Sequence, residues 1–153
     1  MSFDEVKDKA LNLLSFRMHS EAELRNKLKM RGAQNEHIDM TMDFLKECGF
    51  IDDYAFAERY AEELYLNKKY GLNRIKSELF KRGIDSGIIS EILEDMEFDR
   101  DQLYSLAEAK LGGDFSKKNI DKTVRYFTYR GYGISDILSC IDEIKSNYEE
   151  EFD

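Results

Sequence analysis

Three Arg-Gly dipeptides punctuate the chain at nearly even intervals, Arg31-Gly32, Arg82-Gly83 and Arg130-Gly131, separated by 51 and 48 residues. Their surroundings repeat in register. Six positions beyond each glycine stand Ile38, Ile89 and Ile137, and ten beyond it Met42, Leu93 and Ile141. Seven and three positions before the arginine stand Leu24 with Leu28 and Ile75 with Leu79, and the third copy is looser, with Thr123 and Phe127. Spacings of three, four and seven place side chains on one face of a helix. A fixed period of about 50 residues carrying that pattern indicates tandem copies of one helical unit.

Each copy reads as three helices. The first has apolar residues at helical spacing: Phe3, Val6, Ala10 and Leu14, then Ala57, Tyr60, Ala61 and Leu64, then Leu103, Leu106, Ala107 and Leu111. The second is short and basic. In copy one Ser20 precedes Glu23 by three, the capping-box spacing, and Gly32 offers the left-handed residue that ends the helix. The third is acidic outside and apolar inside, as in Ile88, Ile89, Ile92, Leu93 and Met96, and again in Ile134, Ile137, Leu138 and Ile141. Gly49 and Gly71 are expected to close helices as Gly32 does, Asp53, Asn73 and Asp85 to open them, and Lys117 to Ile120 to form the one longer connection. Nothing alternates with period two long enough for a sheet. The expected fold is all-α, with three-helix modules at 1–50, 51–97 and 98–153 in an elongated or curved tandem array. Modules this small depend on shared interfaces, and the absence of proline suits continuous helices.

Charge is segregated along the same period. The formal net charge is -9, from 23 Lys plus Arg against 32 Asp plus Glu, which opposes a general nucleic-acid coat. Residues 17–31, 68–82 and 110–130 nevertheless carry +3, +5 and +4. No stretch approaches the roughly 18 apolar residues of a membrane span, and the opening residues alternate charge where a secretory leader would be apolar. A cytoplasmic, monomeric protein without membrane contact is expected. Cys48 and Cys140 show no metal or disulfide spacing and read as buried free thiols.

No catalytic set emerges. His19 and His37 lack a paired cysteine, serine or carboxylate and read as surface histidines. Asp52-Asp53 suits helix capping better than acid/base work, and Gly112-Gly113 lacks the surroundings of a phosphate loop. The chain reads as a non-enzyme that needs no metal or cofactor.

The basic second helices carry the functional expectation. If they share one side, Arg25, Lys29, Arg74, Lys76, Lys81, Lys118, Lys122 and Arg125 form a cationic stripe suited to phosphates or to an acidic groove of a protein polymer. Arg82 and Arg130 are included as partner-binding candidates. With Arg31, they have the alternative of bonding the last free carbonyls of their helices. Tyr126, Tyr129 and Tyr132 flank the stripe, and core packing accounts for most of them.

The runs Ala10 to Arg17, Ser20 to Arg25 with Leu28, Gly49 to Asp53 with Phe56, Ala57 and Tyr60, and Gly71 to Ile75 with Glu78, Leu79 and Arg82-Gly83-Ile84 resemble the RecX regulatory family over nearly the whole chain. The resemblance implies three tandem three-helix modules. It also implies binding to the RecA recombinase and its filament on single-stranded DNA, with restraint of ATP hydrolysis, strand exchange and co-protease activity. From charge, with the whole molecule opposing a polyanion and the local stripes favouring it, weak direct DNA contact is expected. The other function class is a direct nucleic-acid binder of helix-turn-helix kind.

Overall fold

The computed structural model describes residues 1–152, the side chain of Phe152 apart. Among the described residues there are nine helices and no strand: α1 Phe3–Phe16, α2 Glu21–Met30, α3 Asn35–Glu47, α4 Asp53–Leu66, α5 Leu72–Lys81, α6 Ser86–Asp95, α7 Arg100–Leu111, α8 Lys117–Tyr129 and α9 Ile134–Phe152. None is long and apolar enough to cross a membrane.

The three Arg-Gly turns are one motif built three times. Gly32, Gly83 and Gly131 have φ of +91°, +76° and +100°, backbone that only glycine adopts without strain. The glycine amide bonds the carbonyl three residues back, Lys29, Phe80 or Thr128, at 2.9–3.0 Å. The next amide, of Ala33, Ile84 or Tyr132, bonds the carbonyl five back, on Leu28, Leu79 or Phe127, at 3.0–3.2 Å. This pair of bonds is the Schellman closure, which satisfies carbonyls that a helix end would otherwise leave open.

Helix starts are fixed by side chains. Both halves of the Ser20–Glu23 capping box are formed, at 3.1 and 3.2 Å. Ser2, Asp99 and Ser116 accept first-turn amides of α1, α7 and α8, and Asp85 accepts the Gly87 amide at the start of α6. Four local expectations need correction. Asp52, not Asp53, caps α4, through the Ala55 amide at 3.1 Å, and Asp53 instead reaches the Glu21 amide of α2 at 2.8 Å. Asn73 lies inside α5. Gly71 is not left-handed; the positive φ before α5, +59°, falls on Lys69. Lys117 to Ile120 is the first turn of α8 rather than a connection.

The chain condenses into two compact units, Met1–Glu63 with Glu78–Glu94, and Leu64–Ser77 with Asp95–Asp153. In the first, α1, α2 and α3 pack around Val6, Ala10, Leu24, Leu28, Ile38, Met42 and Leu45. In the second, α7, α8 and α9 pack around Leu103, Ala107, Leu111, Phe127, Ile137, Cys140, Ile141 and Ile144. Every residue at the position six beyond the glycine is buried, as are both upstream positions of all three copies. The looser third copy keeps its register because the Thr123 hydroxyl donates to the Asn119 carbonyl at 2.8 Å, so its burial leaves no polar atom unpaired. Cys140 is buried as expected but Cys48 is exposed. His19 is buried rather than superficial.

A candidate cationic interface

The ten basic residues singled out from sequence fall into two groups. Arg25, Arg74, Arg82 and Arg130 are engaged within the fold, whereas Lys29, Lys76, Lys118, Lys122 and Arg125 are exposed. Lys81 is exposed and reaches Glu78 at 3.5 Å across one helical turn. Arg25 is held by Asp39 of α3 at 2.6 Å and by Glu21 at 3.1 Å, which together keep its guanidinium charged.

Arg82 and Arg130 do equivalent work in the two units. In the first unit the Arg82-Gly83 turn seats on the start of α2. The Ser20 hydroxyl donates to the Arg82 carbonyl at 2.5 Å, and the Arg82 guanidinium reaches Glu23 at 2.7 Å and the Tyr60 hydroxyl at 3.2 Å. A Cβ on Gly83 would stand 2.3 Å from that of Ala22. In the second unit the Arg130-Gly131 turn seats on the start of α5. The Gly71 amide donates to the Arg130 carbonyl at 2.9 Å and the Asn73 amide to the Gly131 carbonyl at 3.0 Å. A Cβ on Gly131 would stand 2.3 Å from the Arg74 nitrogen, and one on Gly71 would stand 2.6 Å from the Gly131 carbonyl. Gly71 is therefore glycine for close approach, not for a left-handed turn. Among the described residues, neither arginine side chain bonds the last carbonyls of its own helix: Arg130 donates to the Lys68 carbonyl.

Glu23 ties the first seat together. It accepts from Arg17 at 2.8 Å as well as from Arg82. Burial works to raise its pKa, but hydrogen bonds from Arg17, the Ser20 amide and Arg82 prevail and hold it at about 2. Beside it His19 lies between the Arg17 carbonyl, 3.0 Å from Nδ1, and the Lys27 ammonium, 2.8 Å from Nε2. An ammonium only donates, so Nε2 accepts and the ring is neutral with its proton on Nδ1. Burial, foremost, lowers the His19 pKa.

In the second unit the cations alternate with tyrosines. Arg74 stands over Tyr129 and Tyr70 at 4.9 and 4.8 Å, Arg130 over Tyr70 and Tyr126 at 5.2 and 5.5 Å, and Lys110 over Tyr126 at 4.2 Å. Ring faces attract cations electrostatically, and the guanidinium plane stacks on them. The ladder was not legible in the sequence, because Tyr70 and Arg74 belong to a different copy from the α8 tyrosines. Of the three tyrosines expected to flank the stripe, Tyr132 packs against the core, while Tyr126 is partly and Tyr129 largely exposed, at 75% for the latter.

The outward face of α8 is the clearest continuous feature. Lys118, Lys122, Arg125 and Tyr129 follow one another at spacings of four, three and four, opposite the buried Thr123 and Phe127. None of the three cations has an ion pair among the described residues.

Comparison with known proteins places the chain in a family. Residues 7–45 match the model of the first three-helix domain of RecX, and residues 52–93 that of the second. A regulatory protein RecX of Clostridium tetani is 33% identical over 150 residues, covering 94% of this chain and 68% of that one. One of Legionella pneumophila is 32% identical over 145 residues, covering 92% and 95%. The crystal structure of RecX from Lactobacillus salivarius superposes with a TM-score of 0.82 at 23% identity, covering 93% of this chain and 96% of that one, a likeness of fold.

Proposed function

The chain belongs to the RecX family of regulatory proteins, and from that premise we infer that it binds the RecA recombinase filament on single-stranded DNA and restrains ATP hydrolysis, strand exchange and co-protease activity. It acts by occupancy, as a cytoplasmic monomer, impeding subunit motion and subunit addition without chemistry of its own. Three modules, 1–50, 51–97 and 98–153, each offer a basic middle helix.

The observation that carries this reading is the unpaired row Lys118, Lys122 and Arg125 on α8, which ends at exposed Tyr129. A row of exposed cations on a chain of net charge -9 favours a local acidic or phosphate-lined groove over polyanions at large. The same face, with its terminal tyrosine, would serve the second reading, a direct nucleic-acid binder of helix-turn-helix kind.

A pull-down with RecA, with and without single strands and nucleotide, separates the two. Retention on the filament far above that on naked single strands at physiological salt supports the modulator. Equal affinity for both refutes it in favour of the direct binder.

A further inference from the structure

The Arg-Gly turns differ in one respect. Two are seated and one is not. Gly83 and Gly131 each press on the first turn of a middle helix, with no space for a Cβ, whereas a Cβ on Gly32 would meet nothing within 4 Å. Arg31 and Gly32 are exposed and the neighbouring Met30 is 80% exposed. The backbone of the three turns is otherwise the same closure, so the first copy presents in solvent a surface that the other two copies use for docking.

Among the described residues, the complementary surface is already occupied where it recurs in register. The seats lie eleven residues before each arginine, at Ser20 for α2 and Gly71 for α5, and both are taken by turns of the same chain. In the third copy that position is Asn119, which is not a helix start, because α8 is 13 residues long where α2 and α5 are 10. The extra turn uses the donors a seat would need: the Asn119 amide bonds the Ser116 hydroxyl at 3.4 Å, and its side chain bonds the carbonyls of Leu111 and Asp114 at 3.0 and 2.7 Å. The third copy therefore lacks a seat in the register that the other two share.

We propose that the exposed Arg31-Gly32 turn, with Met30, is a docking surface for the start of a helix on another protein, one whose first turn offers a free amide or hydroxyl donor and a small residue. The two internal seats define that chemistry: Ser20 and Ala22 in one, Gly71 and Asn73 in the other. The carbonyl of Arg31 receives the donor, and Gly32 gives the close approach. This rests on the functional reading above, which makes the partner helix one on a RecA subunit of the filament.

The test is filament binding by Gly32→Asn. Asparagine is the non-glycine residue that left-handed backbone admits most readily, so the variant fills the approach at a small cost in strain. Gly112→Asn is the matched control, since Gly112 is also left-handed, at φ +58°, with nothing within 4 Å. With RecA filaments on single-stranded DNA as the probe and melting temperatures measured alongside, Gly32→Asn is expected to bind about tenfold or more weakly than wild type, the scale of one overpacked contact. Gly112→Asn should bind as wild type does. Unchanged binding by Gly32→Asn, or equal loss in both variants, overturns the docking surface and leaves the functional reading standing. Failure of wild type to bind filaments overturns that reading and this partner with it.

Discussion

Neutralising Glu23 by Glu23→Gln should expose how much the first Arg-Gly seat contributes to stability. The carboxylate takes charged hydrogen bonds from Arg17 and Arg82 and closes the α2 capping box, and its pKa is held at about 2 against an ordinary 4.5. By linkage that depression corresponds to about 3 kcal/mol. The partners Arg17 and Arg82 are 43% and 34% exposed, so screening by solvent reduces the expected loss to about 2 kcal/mol. In urea that lowers the unfolding midpoint by about 1 M. The sign with pH follows from a folded pKa below the unfolded one: the stabilisation is complete above about pH 4.5 and fades as pH falls toward 2. Glutamine does not titrate, so the gap between wild type and variant should be full at pH 7, narrow below about pH 4.5 and close near pH 2. A cycle with Arg82→Met should recover about 1 kcal/mol of coupling. A gap that is absent at pH 7, or constant down to pH 2, would refute the assignment of the seat to this carboxylate.

The three turns should also respond unequally to the same change. Gly131→Ala combines a strained φ with a Cβ 2.3 Å from the Arg74 nitrogen and should cost about 3 kcal/mol in chemical denaturation, against about 1 kcal/mol for Gly32→Ala, which meets only the strain. Reversing Lys118, Lys122 and Arg125 together should weaken filament binding by two orders of magnitude or so while moving stability by less than about 0.5 kcal/mol per site; wild-type inhibition of recombinase ATP hydrolysis by that variant would remove the α8 face from the mechanism. Proton NMR should place the His19 titration below its ordinary 6.5, and the stability it confers as a neutral ring is full above that value and lost as pH falls through the folded pKa.

The repeat was legible because the residues that carry it are local. Leu24, Leu28, Ile38 and their counterparts recur at helical spacing, and the glycine after each arginine announces its backbone by its lack of a Cβ. What could not be read are the meetings of distant residues. Asp53 next to Asp52 reads as a helix opener, yet its oxygen belongs to the start of α2, 32 positions away. Gly71 looks like another terminator, but its glycine answers to the Gly131 carbonyl across 60 positions. In each case composition shows the residue type and tertiary contact decides the role.

The division among the cations has the same origin in their chemistry. The residues drawn into the fold are arginines, whose planar guanidinium is weakly hydrated, forks to carboxylates and stacks on rings. Arg82 pairs with Glu23 and both stacks on and donates to Tyr60, and Arg130 stacks on Tyr70 and Tyr126 while donating to a carbonyl. The lysines, with a compact and strongly hydrated ammonium, stay outside at Lys29, Lys76, Lys118 and Lys122, with Arg125 beside them. Reversal of Arg74 as a probe of partner binding would thus confound two effects, because its guanidinium also stacks on Tyr70 and Tyr129. The exposed set is free of that ambiguity. Its field reaches only about 8 Å at physiological salt, and beyond that distance a partner meets the acidic excess of the whole chain. Contact by these cations therefore requires a partner surface that approaches them closely.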